Sequence, residues 1–147
     1  AHCLLENLEP SRWPAGNPET GYLDVDASPT KTFVLEAHRK DPKDPFWQLC
    51  FGRRGDHELY DLQSDPDGVA DLSNDPKYRS ILSDLSTRLH GALSAQADPR
   101  ESGNGNVFDA YPHASKSHSG FYERFMRGER IKAGWVNESD FEPLPKR

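Results

Sequence analysis

With 147 residues, 34% of them apolar, 12 prolines, 11 glycines and a mean hydropathy of −0.87, the chain has the length of one domain but little material for a sizeable core. Its formal charge of −6 is the balance of 24 acids against 18 bases with no Lys/Arg run, which argues against a surface that tracks a nucleic-acid backbone. No apolar run reaches the length of a membrane span or of a signal-peptide core, so the sequence points to neither nucleic acid nor membrane as a partner.

In chain order, Cys3 to Leu8 reads as a strand entered midway, with no turn or cap before it, which suggests further chain upstream. Residues 9–28 hold three prolines and two glycines with Trp13 and Tyr22 among polar neighbours. This is a long loop without a helical or alternating period, and its aromatics favour an ordered, packed one. Ser28-Pro29 places a capping side chain before a proline at the first helical position, so a short helix carrying Phe33, Val34 and Ala37 is expected to end near His38. Asp44-Pro45 repeats the device ahead of Phe46, Trp47, Leu49, Cys50 and Phe51. A helix stopped by a left-handed Gly52 is preferred there over a strand at 47–51. Cys3 and Cys50 are far apart and flanked by apolar residues, which favours buried free thiols over a disulfide.

Arg54-Gly55-Asp56 is turn chemistry rather than an adhesion signal. It leads into a short half-buried strand at about 58–62, followed by Asp65-Pro66, which stops extended structure. Asp75-Pro76 then opens a helix over about 76–97. Its Tyr78, Ile81, Leu82, Leu85, Leu89, Ala92 and Leu93 recur at three- and four-residue intervals. Asp98-Pro99 is read as the end of regular pattern, Gly103 to Asn106 as a flexible loop, and Gly120 to Arg127 as two helical turns, with nothing regular beyond Gly128. The aromatics Phe108, Tyr111, Phe121, Tyr122, Phe125 and Trp135 are expected to pin the 101–147 tail. The fold class is therefore α+β: a small antiparallel sheet, incomplete within this chain, packed by the long amphipathic helix, with two short Pro-initiated helices and a loop-rich tail. Two strands alone are marginal in water, so further strands are expected from other chain.

The chain carries no Gly-x-Ser-x-Gly elbow, phosphate-cradling glycine loop or His-Glu-x-x-His. No catalytic residue and no metal ligand is assigned. His113 and His118 bracket a polar loop without a third ligand. Asp61, Asp65, Asp67, Asp71 and Asp75 lack the closing Glu of a calcium loop and suit turns and caps. Asn137-Glu138-Ser139 fits the acceptor pattern for N-glycosylation. The candidate for ligand contact is the loop from Glu9 to Lys31. There Arg12 would pair with an anion, Trp13 and Tyr22 would stack on a sugar face, and Asn17, Glu19 and Lys31 would fix hydroxyls or charge. The bland reading is that Trp13 anchors the loop and the polar residues satisfy its own backbone.

Glu58-Leu59-Tyr60-Asp61-Leu62, Asp65-Pro66, Leu72 and Asp75-Pro76 with the helix behind them resemble the segment that closes many sulfatases, written Glu-Leu-Tyr-Asp-Leu, Asp-Pro-x-Glu and Asn-Leu. Asn7-Leu8, Ser28-Pro29-Thr30, Asp98-Pro99 and the loop Arg12-Trp13-Pro14-Ala15-Gly16-Asn17-Pro18-Glu19 further resemble the heparan N-sulfatase (sulfamidase) branch and its bacterial relatives. The resemblance covers residues 1–100 and implies a C-terminal subdomain of the alkaline-phosphatase-like superfamily, residues 101–147 forming an aromatic tail. Gly68 and Asp71 depart from the Glu and Asn of the pattern, which would weaken the lock between turn and strand. Sulfatases carry a Cys-x-(Pro/Ala)-x-Arg motif whose Cys or Ser becomes formylglycine. Neither Cys3, followed by Leu4-Leu5-Glu6-Asn7, nor Cys50, followed by Phe51-Gly52-Arg53-Arg54, fits it. The resemblance thus places formylglycine and Ca2+ in an N-terminal sulfatase catalytic domain, with this chain inactive alone. It implies a sulfated carbohydrate substrate and an extracytoplasmic setting (periplasmic, secreted or lysosomal), and leaves a homo-oligomer open. A free-standing, non-catalytic binding or interaction module is the alternative.

Overall fold

A computed structural model describes residues 1–115, 118–132 and 134–142. Its regular elements are β1 (His2–Glu6), α1 (Pro29–Lys40), α2 (Pro45–Cys50), β2 (His57–Asp61), α3 (Arg79–Ala95) and α4 (Phe121–Met126). Turns of 3-10 helix stand at Pro18–Thr20, Pro76–Tyr78, Pro99–Ser102, Gly105–Ala110 and Glu138–Asp140. The chain is a small α+β protein that divides into two compact units, one of residues 1–8 and 55–114, the other of residues 9–54 and 115–147.

In the first unit β1 and β2 form a two-stranded antiparallel sheet, with His2 opposite Asp61, Leu4 opposite Leu59 and Glu6 opposite His57. Because side chains alternate across a strand, these six share one face, and α3 packs against β1 there. The His2 ring meets Tyr78 edge-on at 5.9 Å. Leu59 is fully buried, while the apolar stripe of α3 is only half-covered. On the opposite face Glu58 is buried: its Oε1 accepts from Asn7 Nδ2 at 3.0 Å and its Oε2 from the Tyr60 hydroxyl at 2.7 Å. The outer edge of β2 is closed by the turn that follows. Leu59 N–H donates to Asp71 Oδ1 at 2.9 Å, and Leu59 carbonyl accepts from Leu72 N–H at 2.8 Å. The lock therefore forms with Asp at 71, since only an acceptor oxygen is needed, and Gly68 supplies a left-handed turn residue at φ 61°. Asp61, Asp65, Asp71 and Asp75 all accept backbone N–H groups of this turn and the next helix.

The second unit is built around Ala15, Tyr22, Val34, Leu35 and Phe51, with Val25 and Trp47 packed against them. Ser28 caps α1 by accepting Lys31 N–H at 3.1 Å, and Asp44 caps α2 by accepting Phe46 N–H at 3.0 Å. Phe121 is buried and stacks on Phe125 at 6.1 Å, which lies 5.9 Å from Phe141.

Several expectations are corrected. The first strand is His2–Glu6 rather than Cys3 to Leu8, because the Asn7 side chain turns back to the Gly55 carbonyl at 2.6 Å. β2 is likewise one residue earlier, α1 runs on to Lys40, and the long helix begins as a 3-10 turn and ends at Ala95. Gly52 is not left-handed; a side chain there would overlap the Gln48 amide at 2.3 Å, so the glycine serves close packing. Asp98-Pro99 starts a turn rather than ending pattern, since Asp98 accepts Arg100 N–H at 2.9 Å. Gly105 and Asn106 open the next turn, and Glu138–Asp140 lies beyond Gly128. The cysteines are free but not buried: Cys3 is half-buried and Cys50 exposed. Of the tail aromatics, Phe108 and Tyr111 pair with each other at 5.7 Å in the first unit, and Trp135 stands 79% exposed. Lys116 and Ser117 of the loop bracketed by His113 and His118, and residues 143–147 of the tail, lie outside the described residues.

Candidate functional site

All six loop candidates lie in the second unit, and packing divides them sharply, with Tyr22 buried in the core rather than open for stacking. Gly16 turns the chain at φ 86°, where an added Cβ would stand 2.8 Å from Leu23 N. The Asn17 carbonyl then accepts from Thr20 N–H at 3.1 Å, Thr20 Oγ1 at 3.0 Å and Tyr22 N–H at 3.1 Å, winding the turn Pro18–Thr20. Tyr22, left-handed at φ 53°, is fully buried, and its hydroxyl accepts from Trp47 Nε1 at 3.1 Å. Burial pushes its pKa up to about 12 despite that bond.

Lys31 is under the loop, not on it. With 3% of its surface exposed, its ammonium donates to the carbonyls of Val25 at 2.6 Å, Gly21 at 2.7 Å and Tyr22 at 3.3 Å. Asp140, with no exposed surface, stands 3.5 Å away through Oδ2. Desolvation lowers the Lys31 pKa, and the Asp140 charge opposes the shift. Asp140 also accepts Asn137 N–H at 2.9 Å, closing a capping box on the Glu138–Asp140 turn, and accepts from Thr32 Oγ1 at 3.4 Å, which with Lys31 ties that turn to α1. The buried pair makes Lys31 a post for the loop, with no free donor for a ligand.

Trp13 is held by neighbours as well. Its ring meets Trp47 edge-on at 6.3 Å, and the Arg53 guanidinium lies over it, 4.4 Å from the ring centre. Trp47 in turn stacks on His38 at 4.2 Å with the rings 10° apart. One face of Trp13 is thus taken by a cation. Asn17 and Glu19 are half-buried, and one Glu19 carboxylate oxygen is buried without a hydrogen-bond partner among the described residues. Arg12 has a side chain 59% exposed, with Glu9 4.0 Å away. Arg53, Trp47, His38 and Asp140 were not singled out in the sequence. For Asp140 a local signal exists in Asn137-x-x-Asp140, a capping-box spacing.

The arrangement offers a cationic and aromatic surface around Arg12, Trp13 and Arg53, suited to an anionic ring-bearing ligand. Among the described residues it holds no nucleophile–base pair of the kind that acyl or phosphoryl transfer requires. Among the described residues no group of three or more His, Cys, Asp or Glu side chains is placed to hold a metal ion. No described helix is long and apolar enough to cross a membrane. No family model, no curated protein and no solved structure matches the chain.

Proposed function

We propose that this chain is the C-terminal portion of a sulfatase, nearest the heparan N-sulfatase type, which hydrolyses sulfate ester or N-sulfate groups on a sulfated carbohydrate. The observation that carries the reading is the stretch from Glu58 to Pro76. Its sulfatase-like residues form one mechanical device: a strand buried at Glu58 to Tyr60, a turn bonded to that strand through Asp71 and Leu72, and the Asp75-Pro76 cap of α3. In this reading the formylglycine nucleophile and Ca2+ belong to an N-terminal catalytic domain acting outside the cytoplasm. The alkaline-phosphatase-like C-terminal subdomain contributes a sheet edge, a covering helix and a loop at the rim of the substrate pocket. Arg12 is the loop residue best placed to meet a sulfate group, because its charge reaches solvent.

The test is to isolate the native protein with an antibody against this chain, measure its mass, and assay inorganic sulfate release from O-sulfated and N-sulfated disaccharides. A polypeptide long enough to hold a catalytic domain, releasing sulfate, is expected. A native product no longer than this chain, without sulfate release, overturns the reading in favour of a free-standing binding module. In the active protein Arg12→Ala should raise KM or lower kcat/KM, and unchanged kinetics would remove the loop from the substrate site.

A further inference from the structure

At the end of β1 the Glu6 carboxylate lies beneath α3, where His90 Nε2 stands 3.2 Å from its Oε1. The second ring nitrogen, Nδ1, is 2.8 Å from Oε1 of Glu101 in the turn Pro99–Ser102. A neutral imidazole has one N–H and one bare nitrogen, and a bare nitrogen is repelled by a carboxylate oxygen at such distances. Only the imidazolium donates on both sides. We propose that His90 is a proton-operated clasp: charged, it ties the end of β1 and the Pro99–Ser102 turn to α3, and neutral, it releases that turn and the Gly105–Ala110 turn packed on it.

The surrounding groups fit this role. From α3, Ser86 Oγ donates to Glu6 Oε2 at 3.5 Å, while Arg88 pairs with Asp84 at 3.7 Å. From β2, His57 Nε2 is 3.9 Å from Glu6 Oε2, beyond hydrogen-bond reach. Arg100, on the released turn, is held by Asp98 through two bonds of 2.9 and 2.6 Å, and its guanidinium lies 5.3 Å from the Phe108 ring centre. The turn therefore moves with Phe108 attached, and among the described residues His57 is the other basic group within 4 Å of either carboxylate.

Glu101 first and then Glu6 raise the His90 pKa. Since the folded value lies above the unfolded one of about 6.5, the clasp is complete below about pH 6.5 and is lost as pH rises through the folded pKa. The clasp stands apart from the sulfatase reading.

The experiment is hydrogen exchange by mass spectrometry on the intact protein, from about pH 5 to about pH 9, corrected for intrinsic exchange. Protection of the 99–110 amides should fall severalfold with rising pH, with a midpoint above the ordinary histidine value. His90→Gln should flatten the profile, Glu101→Gln should move the midpoint down, and His57→Gln should leave it in place. Protection that is level in the wild type, that survives unchanged in pH dependence in His90→Gln, or that follows His57 instead overturns the proposal. Should His90→Gln fail to fold, Glu101→Gln in the exposed turn decides alone, and an unmoved midpoint overturns it.

Discussion

Lys31→Met tests whether the 17–25 loop is fixed from below. The substitution keeps most of the side-chain length and removes the ammonium, leaving the carbonyls of Gly21, Tyr22 and Val25 without their shared donor. Asp140, with no exposed surface, is then a buried charge supported by Asn137 N–H at 2.9 Å and Thr32 Oγ1 at 3.4 Å. Removing one partner of a buried pair costs about 3–5 kcal/mol, a large fraction of the roughly 5–15 kcal/mol that holds an ordinary domain together. Trp13, Trp47 and Trp135, all the tryptophans of the chain, belong to this unit, so fluorescence-monitored urea unfolding reads it selectively. The midpoint should fall by more than ~1 M. Lys31→Met/Asp140→Asn should recover part of the loss, because the orphaned charge is gone while the Asn137 N–H keeps an acceptor. A single-variant loss below about 1 kcal/mol, or a double variant no more stable than Lys31→Met, would refute the account.

Asp71→Ala should cost about 1–3 kcal/mol by leaving the buried strand N–H of Leu59 unpaired, whereas Asp71→Asn should be near neutral; equal losses in thermal unfolding would contradict the lock. Gly16→Ala combines a left-handed φ of 86° with a 2.8 Å approach to Leu23 N, so it should cost more than the ~1–2 kcal/mol of the conformation alone. Gly103→Ala, at φ 74° in open space, should cost only that conformational part, and a reversed order in denaturation midpoints would show the close approach to be relaxed. Tyr22, neutral in the fold up to about 12, should make the second unit lose stability as pH rises from about 10, the unfolded value, to about 12. The loss approaches roughly 3 kcal/mol, read as one late phenol in an absorbance titration that is missing in Tyr22→Phe.

Elements with local punctuation were legible in the sequence. Ser28-Pro29, Asp44-Pro45 and Asp75-Pro76 each cap a turn through the bonds that their order implies, and the 3.6-residue period found α3. What the sequence concealed depends on residues brought together from afar. Lys31 meets Asp140 across more than a hundred positions, and Asp71 replaces a neighbouring strand at Leu59 through a side chain rather than a backbone ladder. Gly52 misled because a glycine after a helix has two uses: its left-handed freedom, which is the commoner, and its lack of a Cβ beside Gln48, which operates here. The apparent strand 47–51 lost to the helix because Asp44, Pro45 and the bond from Phe51 N–H to the Trp47 carbonyl at 2.7 Å agree.

The division of the loop between frame and surface decides how any binding loss in it must be interpreted. Lys31 is a structural post and Trp13 is clasped by Arg53 and Trp47, so a loss of ligand affinity in a variant at either position would be explained by loss of the loop's support. Arg12 differs physically. Its pair with Glu9 spans 4.0 Å between side chains about 60% exposed, an interaction worth less than ~1 kcal/mol. A change in kcat/KM at Arg12 with an unchanged unfolding midpoint is therefore a contact signal, while the same kinetic change at Lys31 is a folding signal. Of the six residues that chemistry alone grouped as one ligand site, Arg12 is the one the fold leaves exposed, and the unfolding midpoint of Arg12→Ala decides whether its effect on kinetics is contact or architecture.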